Sequence, residues 1–193
     1  MVMNRTIKLL LLSSIFVDTG FGFVEPILAI FIKDNLIGGT IFTAGIASTL
    51  YLITKSVLQL PFSRYVDAHD DKVRWLILGT ACMAFVPFLY IFCTHIVYIY
   101  IAQIILGVGS ALAYPTWLGL WSLHLDKKKE SFEWSLYSTI TGIGTAVTAS
   151  IGAAVAQFVG FAPAFALVGA MSVVGTLILL KLQHSASQKL LNV

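Results

Sequence analysis

Charge is what this sequence has least of. Only 11% of its 193 residues are Asp, Glu, Lys or Arg, against 58% that are hydrophobic, and the mean hydropathy is +0.90. A soluble domain of this length has no core large enough to hide so much apolar surface, so the surrounding medium must be lipid. The net charge of +3 forms no basic stripe, which excludes a nucleic-acid partner. Cysteine is nearly absent. Cys82 and Cys93 fall in one apolar run, where helical rise would set them roughly 16 Å apart, too far for a disulfide, so both read as packing residues. Metal and phosphate patterns are missing as well: His69, His95 and His124 make no ligand-spaced pair, there is no Cys-x-x-Cys, and the Gly-x-Gly pairs lie inside apolar runs. No metal, cofactor or catalytic residue is expected, and an enzyme is the least favoured class.

What the chain does have is long uncharged runs. About 20 residues carry a helix across the hydrocarbon, and only closed hydrogen-bonding patterns survive there. Six such runs are expected to be transmembrane helices, from Ile7 to Ile32, Thr40 to Phe62, Trp75 to Phe92, Ile96 to His124, Trp134 to Gln157 and Phe161 to Leu180. They form one all-α membrane domain over residues 1–193, with 181–193 read as a cytoplasmic tail or the start of a central loop. A cleaved leader does not fit the first run, which Asp18 and Glu25 interrupt and further spans follow.

Basic residues set the direction. Arg64, Lys72 and Arg74 lie in the second connection and Lys127, Lys128 and Lys129 in the fourth, while Arg5, Lys8, Lys181 and Lys189 flank the set. With both termini in the cytoplasm, only Lys33 of the 12 Lys and Arg falls outside and only Lys55 within a span. Trp75, Trp121, Trp134 and Tyr137 would then form an inner aromatic belt, and Tyr90, Tyr98 and Tyr100 an outer one. Three spans per half turn the second triplet upside down relative to the first, the geometry of a 3+3 inverted repeat. Gly20-x-Gly22 before Pro26 and Gly107-x-Gly109 before Pro115 are its faint trace.

An ionised group near the bilayer centre costs about 2.5 to 3.5 kcal/mol on insertion scales, so a retained one normally faces a cavity or a partner. Asp18 and Glu25, two helical turns apart, share a face with Ser14 and Gly22. By helical rise, Asp18 sits roughly 16 Å and Lys55 roughly 10 Å from the inner ends, close enough in depth to pair. Lys55 either pairs so or snorkels to the interface, and Glu25 either faces a cavity or sits in the outer headgroups. Asp18, short and near mid-depth, is the strongest functional candidate. The fourth span adds a stripe of Gln103, Gly107, Ser110, Tyr114, Trp117 and Trp121, whereas the third and sixth carry nothing comparable. In the fifth, Gly144, Thr148, Gly152 and Ala156 recur every four residues, a pattern for close helix packing or for a hinge.

These residues resemble the N-terminal half of a major facilitator superfamily transporter, in flavour the drug/proton antiporters that include tetracycline efflux pumps. The run from Asp18 through Gly20, Gly22 and Glu25 to Pro26 is similar to the family's acidic, glycine-rich opening. Ser63-Arg-Tyr-Val-Asp67-Ala-His-Asp-Asp-Lys72 resembles G-x-L-x-D-R-x-G-R-R, keeping the central acid and the final base. Gln103 to Ala111 resembles R-x-x-Q-G-x-G-x-A, with Gln103 in the arginine position. Gly144 to Ala153 resembles the antiporter motif G-x-x-x-G-P-x-x-G-G, with Ala149 in the proline position. The resemblance covers roughly residues 5–182 and implies that the first, second, fourth and fifth spans line a central path, with the third and sixth outside. It implies a cytoplasmic gating contact around Asp67, Lys72 and Arg74, and substrate or proton handling at Asp18. The changes at Gln103 and Ala149 argue against proton-coupled antiport.

Members of that superfamily normally have twelve spans in two halves around a central site. The expectation is therefore a secondary transporter of a small solute, efflux- or antiport-like, in the inner or plasma membrane. It would be one half, either a fragment of a longer transporter or a half that pairs with a second copy or a separate C-terminal half, besides lipid and solute. Asp18, Glu25, Lys55, Gln103 and Tyr114 are its pathway candidates. The alternative is a non-transporting interaction or regulatory protein derived from such a half.

Overall fold

A chain in hydrocarbon has no water for its backbone N–H and C=O groups, and a helix satisfies them within one segment. The computed structural model describes residues 4–191 apart from Asp70, and not the side chains of Glu25 and residues 184–191. Over these residues the helices are α1 (Arg5–Asn35), α2 (Ile41–Asp67), α3 (Lys72–Phe92), α4 (Ile96–His124), α5 (Glu130–Phe158) and α6 (Phe161–Leu191). All six are long and apolar enough to cross a membrane.

Most run past the apolar stretches that announce them. Hydropathy marks the part inside hydrocarbon, whereas a helix continues until something caps it. Asn4 Oδ1 accepts from the Thr6 N–H at 3.0 Å to start α1. Thr40 and Thr43 exchange hydrogen bonds in a capping box that starts α2. Gly160, at φ +116°, ends α5 with a backbone conformation that side chains disfavour. α6 continues past the expected span end at Leu180 through Leu191. On the outer side, the Ile37 N–H donates to the Thr94 carbonyl (3.0 Å) and the Ile96 N–H to the Ile37 carbonyl (3.1 Å), tying the first connection to the third.

The packing shows the repeat directly. α1 lies against α5 and α6, α4 lies against α2 and α3, and α3 meets α6. Exchanging the first three helices for the last three leaves this pattern unchanged, as a 3+3 inverted repeat requires. The paired glycines obey it: Gly22 of α1 faces Thr145 of α5, and Gly107 of α4 faces Tyr51 and Thr54 of α2. Backbones also approach closely where α3 crosses α4: a Cβ on Gly79 would lie 2.6 Å from the Ala113 nitrogen and 2.7 Å from the Gly109 oxygen.

Two apolar clusters hold the bundle, one around Phe23, Phe31, Tyr90, Ile99 and Phe165, the other around Ile7, Leu10, Leu76, Trp121 and Leu179. Their membership corrects both aromatic belts. Trp121 and Tyr90 are 0% and 1% exposed and belong to the interior, whereas Tyr98, at 55%, is free to face the interface. Aromatic residues near a span's end look alike in sequence whether they point to headgroups or to a neighbouring helix.

Candidate functional site

Between α1, α2 and α4 lies a cavity of about 780 Å³, open on one side, with further walls from α3 and α5. Its lining is mostly apolar (Val17, Phe21, Leu28, Leu52, Met83, Leu106), with a small set of polar groups set into it. That combination suits a small-molecule site, where apolar walls supply contact and a few polar groups orient the ligand.

Asp18, Lys55, Gln103 and Tyr114 all reach this cavity. The side chain of Glu25 lies outside the described residues. Asp18 and Lys55 form no ion pair among the described residues, contrary to the pairing that their depths allowed. The Tyr137 hydroxyl of α5 donates to Asp18 Oδ2 at 3.0 Å. Lys55 Nζ instead lies 4.5 Å from the centre of the Tyr114 ring and 6.0 Å from that of Tyr51, a cation–π arrangement. The reason is packing: α1 is drawn to α5 and α2 to α4, so the two charges end on different walls with the cavity between them.

Gln103, only 3% exposed, donates from Nε2 to the Tyr90 hydroxyl of α3 at 3.3 Å. The third span therefore does carry a polar partner, one that a lone tyrosine in an apolar run does not announce. Ser110 shares a hydrogen bond of 3.3 Å with Tyr51, tying the polar stripe of α4 to α2. Tyr137 is the cavity residue that sequence reasoning misplaced. It was assigned to a belt, although it is on the face of α5 that carries Gly144 and Thr148, and that face turns toward α1. Beside it Trp117 stacks on Trp121 at 5.0 Å and lies 4.6 Å from the Tyr137 ring, with Trp134 closing the cluster. The indole Nε1 atoms of Trp117 and Trp121 are buried without a hydrogen-bond partner among the described residues.

The small residues of α5 set how closely Tyr137 approaches Asp18. Thr148 Oγ1 donates to the Thr19 carbonyl of α1 at 2.7 Å. A Cβ on Gly152 would meet the Phe23 ring at 2.8 Å, and one on Gly144 would collide with Thr19. Gly144, Thr148 and Gly152 thus form the α1 contact itself.

The sequence profile of the Major Facilitator Superfamily matches residues 10–192, nearly the whole chain and every one of these helices. The chain belongs to the major facilitator superfamily. No curated protein matches it closely enough to count as a relative. Major facilitator proteins are membrane transporters. α1, α2 and α4 wall the cavity as the resemblance implied, but α3, expected outside, lines it with Leu76, Thr80, Met83 and Tyr90, against only Tyr137 and Thr145 from α5 and Leu179 from α6.

In the α2–α3 connection of this major facilitator chain, Lys72 Nζ lies 2.9 Å from Asp67 Oδ1, and Arg74 pairs with Asp71 at 3.3 Å. Tyr65 stacks on His69 at 4.2 Å and meets Trp75 edge-on at 5.4 Å. The Asp67 side chain is 75% exposed, so solvent screening leaves the pair little energy. Asp67→Asn is expected to change stability by less than about 1 kcal/mol, measured by thermal unfolding in detergent. A larger loss would mean that the connection is structural. At the next inner connection, Glu133, 2% exposed, accepts the Asp126 N–H at 3.2 Å. Nothing in its sequence setting distinguishes it from its exposed neighbour Glu130.

Proposed function

We propose that this chain moves a small solute across the cell membrane by alternating access, as one half of an efflux- or antiport-like transporter whose central path is the cavity at Asp18. One observation carries the reading: opposite charges, Asp18 and Lys55, face one membrane-embedded cavity from different helices, each held by a tyrosine rather than by the other. A purely structural pair would have closed on itself, since leaving two charges apart in a low-dielectric setting is costly. Asp67, Lys72 and Arg74 take the part of the inner gating connection, and Gln103, Tyr114 and Glu25 belong to the path.

The exposed surface of α5 supports a partner half. α5 turns Gly144, Thr148 and Gly152 to α1 and large apolar side chains (Ile143, Val147, Ile151, Phe158) outward. A third face carries Ser135, Thr139, Gly142, Ala146 and Ala153, all exposed. Small and hydroxyl-bearing residues gain little from lipid but let another helix approach closely. A second copy or a C-terminal half would pack there.

The test is reconstitution into liposomes, alone and with any six-span partner encoded beside it. Gradient-dependent solute flux is expected. The second reading, a non-transporting interaction protein, draws on the motif changes at Gln103 and Ala149. It is favoured if flux is absent while crosslinking captures a stable complex with an unrelated membrane protein.

A further inference from the structure

We infer that the solute is a zwitterion with an apolar or aromatic body, its ammonium group held at Asp18 and its anionic group at Lys55. The inference rests on the transport reading above and names the substrate class of the same cavity.

The argument begins with the two charges. Asp18 and Lys55 line one cavity and are not within ion-pair distance of each other, and among the described residues neither forms a salt bridge. A carboxylate and an ammonium on opposed walls partly cancel in their pull on a ligand of single charge. A cation drawn to Asp18 is repelled by Lys55, and an anion the reverse. For a ligand bearing both charges the two attractions add, and mostly apolar walls keep screening low.

The surroundings divide the same way. Asp18 offers acceptor oxygens, of which Oδ2 is engaged by Tyr137. Around Lys55 the groups are a cation's neighbours, the rings of Tyr114 and Tyr51, with no described carboxylate. These rings hold the ammonium at the cavity edge without neutralising it, so its charge remains available to an anionic group. Trp117 adds a flat wall beside Tyr137, and its buried Nε1 is a donor without an acceptor among the described residues. The rest of the cavity lining is mostly aliphatic and aromatic, which favours a ligand whose two ends are joined by an apolar unit.

A matched set of probes tests this on the full chain in nanodiscs: 4-(aminomethyl)benzoate and 6-aminohexanoate as zwitterions, 4-methylbenzylamine as cation and 4-methylbenzoate as anion. Binding is read by calorimetry and by quenching of tryptophan fluorescence. At least one zwitterion is expected to bind about tenfold tighter than either singly charged probe, the factor that one additional charge-assisted contact contributes. Lys55→Gln is expected to turn the preference to the amine, and Asp18→Asn to the carboxylate. Such reciprocal redirection is not a result that misfolding produces. If no zwitterion outranks the singly charged probes, if nothing binds, or if both variants merely weaken all probes alike, the inference is overturned. Flux of a singly charged solute in liposomes would overturn the substrate class while leaving the transport reading intact. Zwitterion binding without flux would do the opposite.

Discussion

Asp18→Asn is expected to lower solute flux about ten- to hundredfold while the protein still folds. Asparagine has the same shape and its amide oxygen still accepts the Tyr137 hydroxyl, which stands 3.0 Å from Asp18 Oδ2, so the α1–α5 contact is kept. What disappears is the charge that faces the cavity. A hydrogen bond to a charged group contributes about 1.5 to 3 kcal/mol, and each 1.4 kcal/mol is a factor of ten. The measurement is initial uptake into liposomes at matched protein content, with size-exclusion profile and thermal midpoint as controls for folding. Tyr137→Phe, which keeps the charge and removes only its donor, should cost less. Equal flux in wild type and Asp18→Asn would remove Asp18 from the path and with it the main support for a transport cavity.

The other large effect is on stability. Gly79→Val is expected to destabilise the bundle by about 3 kcal/mol, at the upper end for overpacking. Most overpacked sites relax by rotating a side chain, but here the obstacles are backbone: the Ala113 nitrogen at 2.6 Å and the Gly109 oxygen at 2.7 Å from an added Cβ. Relief requires α3 and α4 to separate along their whole contact. Gly119, also in α4, has nothing within 4 Å of an added Cβ. Gly119→Ala should therefore be neutral or stabilise by up to about 1 kcal/mol through helix propensity. Thermal unfolding in detergent compares the two, and similar midpoints would mean that the α3–α4 crossing is not tight.

The span count was legible in the sequence because hydrocarbon permits few alternatives: six apolar runs had to become six helices, and α3, α4 and α6 begin within a few residues of the expected positions. Asp18 was legible for the same reason, as an acid at mid-depth demands an explanation wherever it points. The α5 stripe of Gly144, Thr148 and Gly152 was visible as spacing, but the spacing left its meaning open. Contact with Thr19 and Phe23 of α1 makes it a packing seam. Depth and periodicity also allowed Asp18 to meet Lys55 and gave Tyr137 no reason to leave the belt. Both readings failed at the same point, because depth along a helix says nothing about which neighbour stands beside it.

The sequence by itself determined the medium, the number of crossings, their direction and the acids and bases retained within them. Each of these follows from the transfer energy of single residues and the fixed rise of a helix. Only the tertiary structure decided which charge met which partner: Asp18 on Tyr137, Lys55 on Tyr114, Gln103 on Tyr90. Those choices depend on how close helix backbones come, and that closeness is set by glycines and small residues whose partners lie on other helices, far away in the chain.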